Sequence, residues 1–438
     1  MYTICVSGST NTQALSYDAS LKTGAATSVS FPIASTPDTV EQELQKGPGI
    51  SIIRLVEGLI YNAHERRASD IHLDPRVDCL VARFRVDGVL HDAYTLPTRI
   101  HNEVIARIKI LAGLRTDGHQ AAHDGRFRVQ LERHGSIDVR VSIAPTYYGE
   151  NAVLRLLSDR AHEFTLQSLG FTHENQEKIM RAVERPHGMI LATGPTGSGK
   201  TTTLYTLVKL LNKPESSIIT IEDPIEYAIS GINQIQVNAR TELTFANGLR
   251  SMLRQDPNVI MVGEIRDVET AGLAVNVALT GHLVLSTLHT NDAPTTLPRL
   301  LDMRVEPYLI ASTVNIAIGQ RLVRRICENC KEQYTMSDAE SASLSDVIPA
   351  DLLKKHRIFY RGRGCDKCGN TGYRGRQGLH EVLEVDLAVR EAILRKASSD
   401  ELRTIALKNG MVPMIVDGFC KAAQGVTTIE EILRMRYV

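Results

Sequence analysis

The chain has 438 residues, of which 43% are hydrophobic and 23% charged, enough for two or three domains of ordinary soluble composition. Lys plus Arg equals Asp plus Glu at 50 each, so no net field draws the whole chain to nucleic acid or to an anionic membrane, although local basic faces stay open. No apolar run approaches the roughly 18 residues of a bilayer span, and "MYTICVSGSTNTQ" lacks the basic and apolar segments of a secretion signal; the expected compartment is the cytosol.

Residues 1–46 are rich in Ser, Thr, Gly and Ala without clear periodicity, and the pattern predicts a flexible arm. Order is expected from "GISIIRLVEGLIYNAHERRASDIHLDP", where Ile52, Val56, Leu59, Ile60 and Ala63 recur at helical spacing and give one buried stripe. Two hairpin patterns follow. In "CLVARFRVDGVLHDAY", Leu80, Ala82, Phe84 and Val86 alternate with Val81, Arg83 and Arg85, and Asp87-Gly88 supplies a tight turn. In "RFRVQLERHGSIDVRVSIAP", Phe127, Val129 and Leu131 alternate with Arg128 and Gln130; past His134-Gly135, Ile137, Val139, Val141 and Ile143 alternate with Asp138, Arg140 and Ser142. Residues 47–160 therefore read as an α+β sheet domain, apolar behind and arginine-bearing in front. Those arginines either form a solvated face or reach a phosphate on another domain or subunit.

From about residue 187 the texture changes. "HGMILATG", "SIITIEDP", "VIMVGEI" and "LVLSTLH" are short β-branched runs separated by stretches that can hold helices, which implies a mainly parallel sheet buried on both faces. The expected divisions are an α/β domain over 161–322, a cysteine-bearing subdomain over 323–378 and small helices over 379–438. In that tail Ser398 with Glu401, and Thr428 with Glu431, stand at capping-box spacing.

"GPTGSGKTTTLY" fits the phosphate-loop pattern, after an apolar strand and before a helix-compatible run. Gly194, Pro195, Thr196, Gly197, Ser198, Gly199, Lys200, Thr201 and Thr202 form the predicted nucleotide site. The glycines let backbone N–H groups curl around phosphates, Lys200 neutralises β- and γ-phosphate charge, and the Thr201 hydroxyl is placed to ligate Mg²⁺. A second cluster, Glu222, Asp223 and Glu226 in "IITIEDPIEY", ends another apolar strand, and Glu264 follows the strand of "DPNVIMVGEIRD". Strands of a parallel sheet deliver their carboxyl ends to one crevice, so Lys200, Glu222 and Glu264 are expected there together. Hydrolysis needs one group to order Mg²⁺ and one to orient water; Glu264 can do the first through a metal-bound water. The plainer reading of Glu222 is a helix cap or surface charge. In "ALTGHLVLSTLHTNDA", His282 and His289 bracket a buried strand; His289, at its end, is the expected γ-phosphate sensor, and His282 is equally a structural residue.

"CENC" (Cys327, Cys330) and "CDKC" (Cys365, Cys368) can close a tetrahedral four-sulfur site, which favours Zn²⁺ in a structural role because four protein ligands leave no position for water. A redox dithiol is the rival, without a thioredoxin-like strand before either pair. Cys5, Cys79 and Cys420 read as ordinary thiols.

The stretches "ASDIHLDP", "RFRVDGVL", "PTYYGENAVLRLL", "GPTGSGKTTTLY", "IEDPIEY", "LRQDPNVIMVGEIRD" and "LTGHLVLSTLHTNDA", in this order from about Ser51 onward, resemble the type II secretion and type IV pilus assembly ATPases. The resemblance implies a PAS-like sheet domain before a RecA-like ATPase domain, and Glu222 and Glu264 sharing base and metal duties. It also implies completion of the site by sheet-domain arginines, here Arg83, Arg85, Arg140 and Arg155. In that family glycine habitually precedes the glutamate matching Glu264, secretion and assembly motors often carry the four-cysteine insertion, and pilus-retraction motors lack it. Departures are "AAHDGR" at 121–126, where Pro-Gln-Asp-Gly-Arg is usual, Arg304 where glycine is common, and a short arm in place of the large N-terminal docking module of many relatives.

The resulting expectation is an ATP-hydrolysing hexameric ring using ATP, Mg²⁺ and Zn²⁺. It acts peripherally at the cytoplasmic face of the inner membrane, on a platform protein and through a further membrane partner with a cytoplasmic domain, to drive pilin-like assembly. A nucleic-acid translocase gripping DNA or RNA through a zinc ribbon is the rival from another class, opposed by the zero net charge; no specific nucleic acid is expected. A nucleotide-gated scaffold without turnover is the third reading.

Overall fold

A computed structural model describes residues 27–29, 39–131, 135–158 and 164–435. The chain divides into two compact units, Met1–Asn62 with His72–Ala82 and Tyr94–Leu156, and Ala63–Ile71 with Arg83–Ala93 and Leu157–Val438. The expectations for Cys5 and for most of the arm lie outside the described residues. Within the arm, however, Thr27–Val29 is a strand and Thr39–Gln45 a helix with Val40 buried.

The N-terminal sheet has seven strands, β1 Thr27–Val29, β2 Ala68–Pro75, β3 Cys79–Val86, β4 Val89–Pro97, β5 His123–Leu131, β6 Gly135–Thr146 and β7 Gly149–Ser158. Their spatial order is β1-β5-β6-β7-β2-β3-β4, with β1 parallel to β5. Side-chain alternation sets the register of β5 against β6. Phe127 faces Val139 and Val129 faces Ile137, all buried, whereas Arg126 faces Arg140 and Arg128 faces Asp138. A slip by one residue would turn this whole set to the other face. Asp87 and Gly88 both have positive φ, 50° and 88°, the backbone that a two-residue hairpin turn demands. Val81 departs from the expected alternation: it is buried like Leu80 and Ala82, so β3 is covered on both faces there, and Val86 is only half-buried.

Helix Ile52–Glu65 buries Leu55, Val56, Leu59, Ile60 and Ala63; Leu55 joins the predicted stripe and Ile52 is half-buried. Helix His101–Leu111 carries a fully buried lysine, Lys109. Its ammonium lies 2.7 Å from a Glu150 carboxylate oxygen and donates to the Gly118 carbonyl at 2.7 Å. His119 Nδ1 is 2.9 Å from the same carboxylate. Burial raises the Glu150 pKa, but bonds from Lys109 and His119 leave it below the ordinary carboxylate range. Lys109→Met would leave the Glu150 charge under-compensated. The expected cost is about 3–5 kcal/mol, read as a lower guanidinium midpoint by circular dichroism. Because the folded pKa is depressed, the contribution is present at neutral pH and fades as pH falls through the folded value.

The α/β sheet is built from β8 Gly188–Thr193, β9 Ile218–Glu222, β10 Asn233–Gln236, β11 Val259–Val262, β12 Leu283–Leu288 and β13 Val314–Ile326. After β13 comes a hairpin, β14 Lys331–Thr335 with β15 Ile358–Gly362, and then β16 Tyr373–Glu384. The order is β10-β9-β11-β12-β8-β13-β16, parallel throughout except for the antiparallel β13–β16 pair. Burial on both faces follows from the β-branched runs. Met189, Leu191, Ile219, Ile221 and Val262 enter one core, with helices Val268–Leu279 and Ala293–Asp302; Ile190, Ala192, Ile218, Met261 and Leu285 enter the other, with helices His173–Val183 and Lys200–Leu211. A third core joins Val323 and Leu379 to Phe359 and Phe419.

The expected fold class holds: an α+β sheet, then a phosphate-loop α/β sheet with a four-cysteine insertion and small terminal helices. Each predicted capping box forms only in half. Ser398 and Thr428 accept the backbone N–H groups of Glu401 and Glu431, but Glu401 turns to Arg395 and Glu431 to Arg324. A guanidinium outcompetes the N-cap N–H for a carboxylate because both partners carry full charge.

Candidate nucleotide site and cysteine cluster

The phosphate loop leaves β8 and enters helix Lys200–Leu211. Gly194, Gly197 and Gly199 all have positive φ, at 143°, 77° and 90°. A Cβ on Gly194 would stand 2.3 Å from the Gln320 carbonyl, so the loop cannot form around a larger residue. Gln320, on β13, also donates from Nε2 to the Ser198 carbonyl at 2.7 Å and accepts from Thr203 Oγ1 at 2.9 Å. It holds the loop from the side, across more than a hundred residues of chain, a contact no local motif signals. Lys200 Nζ donates to the carbonyls of Gly194 and Pro195 at 2.8 and 3.0 Å. Burial pushes its pKa down, opposed by the charge of Glu264. A cation held in a partly desolvated cradle gains most from an anionic ligand. Ser198 Oγ is buried without a partner among the described residues, and Thr201 and Thr202 are half-buried.

The two glutamates differ sharply in surroundings. Glu222, only 2% exposed, accepts from Tyr205 Oη, from Thr220 Oγ1 at 2.6 Å and from Gln234 Nε2 at 3.1 Å. Burial raises its pKa and these bonds oppose the rise. Burial, helped by the Glu222 charge, also lifts the phenol of Tyr205 far above its usual value. Three donors leave about one lone-pair direction on Glu222 for a further partner. Glu264 instead is bracketed by Arg266 at 2.6 Å and His289 Nε2 at 3.1 Å, and its field reaches Lys200. Gly263 before it sits where a Cβ would meet the Ile221 carbonyl at 3.3 Å and Glu222 Cα at 3.4 Å. A larger residue there would be tight against β9, which passes close beside β11. His282 lies at the start of β12, opposite its carboxyl end, with Nδ1 3.1 Å from the Val277 carbonyl; the structural reading of it prevails.

Arg83 and Arg85 on β3 and Arg140 on β6 are half-buried, and Arg155 on β7 is exposed. Arg85 is tied locally, to Asp70 at 3.5 Å and the Gly88 carbonyl at 3.2 Å.

The sulfurs of Cys327, Cys330, Cys365 and Cys368 all lie within 4.8 Å of one another. Cys327–Cys365 and Cys330–Cys368 are 3.9 Å apart and Cys365–Cys368 is 3.7 Å. A disulfide needs about 2.05 Å, whereas the edge of a tetrahedron with metal–sulfur bonds of about 2.3 Å is about 3.8 Å. The four thiols therefore fit a single tetrahedral ion. Backbone N–H groups of Cys365 and Gly372 point at Cys368 Sγ, at 3.2 and 3.3 Å, as thiolate requires.

The family model described as "Type II/IV secretion system protein" matches residues 45–434. The chain belongs to this family. It is 44% identical over 92% of its length to the type II secretion system ATPase E of Vibrio cholerae, covering 79% of that protein. To the type IV pilus assembly ATPase PilB of Myxococcus xanthus it is 40% identical over 90%, covering 70%. Among solved structures, the pilus retraction motor PilT with bound ADP superposes at a TM-score of 0.60 with 26% identity, over 87% of this chain and 96% of that one. The chain is thus a secretion-type ATPase by descent.

Two departures from the family pattern have visible local consequences. Arg304 adopts φ 61°, the left-handed conformation that glycine enters without strain, just after helix Ala293–Asp302. Gly125, kept within "AAHDGR", lies where a Cβ would meet Ala112 Cβ at 2.9 Å, so the tight part of that motif is the part retained.

Gly194→Ala should distort the loop at a strain cost of about 1–3 kcal/mol. Titration with fluorescent ADP is expected to weaken about tenfold or more; unchanged binding would mean that the loop does not cradle phosphate.

Proposed function

We propose that this chain is the ATP-driven motor of a type II secretion or type IV pilus assembly machine. It works as a homo-oligomeric ring, a hexamer, at the cytoplasmic face of an inner membrane, where a platform protein takes up the movement. The single observation that carries the reading is the convergence of a phosphate loop, two strand-end glutamates and His289 at the carboxyl edge of one parallel sheet. Relatives named for secretion and for a pilus supply the process; none of those named favours a nucleic-acid translocase. Among the described residues no helix is long and apolar enough to cross a membrane; in this reading partner proteins supply the attachment.

In this reading Lys200 and the loop N–H groups neutralise the β- and γ-phosphates of ATP. Mg²⁺, when bound, spreads that charge further; the Thr201 hydroxyl and, through water, the Glu264 carboxylate are the hard oxygen donors suited to hold it. Glu222, kept above the ordinary carboxylate range mainly by burial, is the better proton acceptor at neutral pH and orients the attacking water. His289, paired to Glu264, is placed to register loss of the γ-phosphate. The role proposed for Arg83, Arg85, Arg140 and Arg155 is to stabilise phosphate charge while ATP is present. The four cysteines hold Zn²⁺ as a closed structural clip.

Phosphate release by Glu264→Gln should fall at least about a hundredfold, because the carboxylate that orders Mg²⁺ is lost, with nucleotide affinity changed only severalfold. Equal and negligible rates in the wild type and the variant would favour a nucleotide-gated scaffold. Emission spectrometry of purified protein should find one zinc per chain, lost in Cys368→Ser. Steady-state ATP turnover of the metal-free protein should drop only as far as its folded fraction does, because a four-sulfur site has no open coordination position; a different metal, or none, would remove the clip from this account.

A further inference from the structure

Glu381, on β16, is buried opposite Gly319 of β13, and its two carboxylate oxygens serve two different helix starts. Oε1 accepts the backbone N–H of Ala293 at 2.7 Å, and Oε2 accepts that of Met414 at 3.2 Å. Ala293 opens helix Ala293–Asp302, four residues after His289; Met414 opens helix Met414–Ala423 near the C-terminus. The approach needs a bare backbone at Gly319, where a Cβ would lie 2.8 Å from Glu381 Cγ and 2.9 Å from Ala293 N. Gln320, the next residue, is the one that holds the phosphate loop. A continuous set of hydrogen bonds runs back from Ala293 to that loop. Thr193, which precedes Gly194, receives the Thr290 N–H at 3.1 Å and donates to the Thr290 carbonyl at 3.0 Å, and Thr290 Oγ1 donates to the Asp292 carbonyl at 3.2 Å. The Asp292 carboxylate meets Arg403 of helix Ser399–Lys408 at 2.5 Å. Burial holds the Glu381 carboxyl above its ordinary range, opposed by the two N–H bonds.

We propose that Glu381 is a positioning residue that ties the segment after His289 to the C-terminal helix Met414–Ala423, so that the nucleotide state at the phosphate loop is felt at that helix. This rests on the ATP-motor reading above. One rigid carboxylate cannot follow one helix start without leaving a buried donor of the other unpaired, and that penalty is what links them.

The test is hydrogen–deuterium exchange on the full chain, wild type and Glu381→Gln, with and without a non-hydrolysable ATP analogue and Mg²⁺. A glutamine keeps one acceptor oxygen and presents an amide NH₂, itself a donor, to the second N–H, so one of the two ties is broken with little change of volume. In wild type the analogue should slow exchange at least about threefold both in 194–204 and in 413–423. In Glu381→Gln the first response should remain and the second vanish. The same variant should lose about tenfold in kcat for ATP with KM within about twofold. Glu381→Asp, which keeps two acceptor oxygens, should restore at least half of the 413–423 response. The inference is overturned if 413–423 does not respond in wild type, which needs no variant. It is equally overturned if Glu381→Gln melts lower yet responds at both segments, or keeps its kcat. Absence of a wild-type response at 194–204 would instead sink the ATP reading on which it rests.

Discussion

Parallel pairing of β9, β11, β12 and β8 is the constraint on which the site depends. One rung of that ladder joins Ile221, Val262, Ser286 and Leu191. Counting forward from this rung, Glu222 comes after one residue, Glu264 after two, and His289 and Gly194 after three. The four chains must therefore release their chemistry at one edge, whatever the side chains are. Ser286 and Thr287 reinforce the rung by donating to the Val262 and Gly263 carbonyls at 2.8 Å each. Buried hydroxyls are costly in an apolar sheet unless they find such acceptors, and here they fix β11 against β12 at the point where Glu264 emerges.

Two residues of the same type then meet different surroundings at that edge. Glu222 is surrounded by neutral donors, from Tyr205, Thr220 and Gln234, and sits in the protein interior. Glu264 is surrounded by Arg266 and His289 within the field of Lys200. Burial raises the proton affinity of Glu222 against the opposing pull of its three hydrogen-bond donors. One fold thus sets a buried carboxylate with neutral donors and a guanidinium-paired carboxylate at the ends of adjacent strands.

The parts legible in the sequence were those encoded locally. The phosphate loop, the strand-end glutamates and the paired cysteines each declare themselves within a dozen residues, and the β-branched runs announce a sheet covered on both sides. Contacts between distant segments were not legible. Gln320 touches the phosphate loop only because β13 lies beside β8, and nothing in "VNIAIGQRLVRRI" marks it. Gln234 reaches Glu222 because β10 flanks β9. Glu431 carries a capping signature, yet its carboxylate answers to Arg324 on another element. The low-complexity look of residues 1–46 hid a strand that pairs with β5 and a helix with a buried valine, because three strand residues and seven helical ones are too few to make a periodic pattern.

The antiparallel pair of β13 and β16 joins the phosphate loop to the cysteine cluster. β13 runs for 13 residues and β16 for 12, paired from Ile316 opposite Glu384 to Ile326 opposite Tyr373. At about 3.3 Å per residue such a ribbon is on the order of 40 Å long. Gln320 grips the phosphate loop near its middle, Glu381 faces Gly319 beside it, and the cysteine pairs are rooted just past its far end, at Cys327 and Cys368. That far end is anchored in its turn, by Arg324 on Glu431 and by Val323 in the core of Phe359 and Phe419, so one pair of strands has fixed partners all the way from the phosphate loop to the terminal helices.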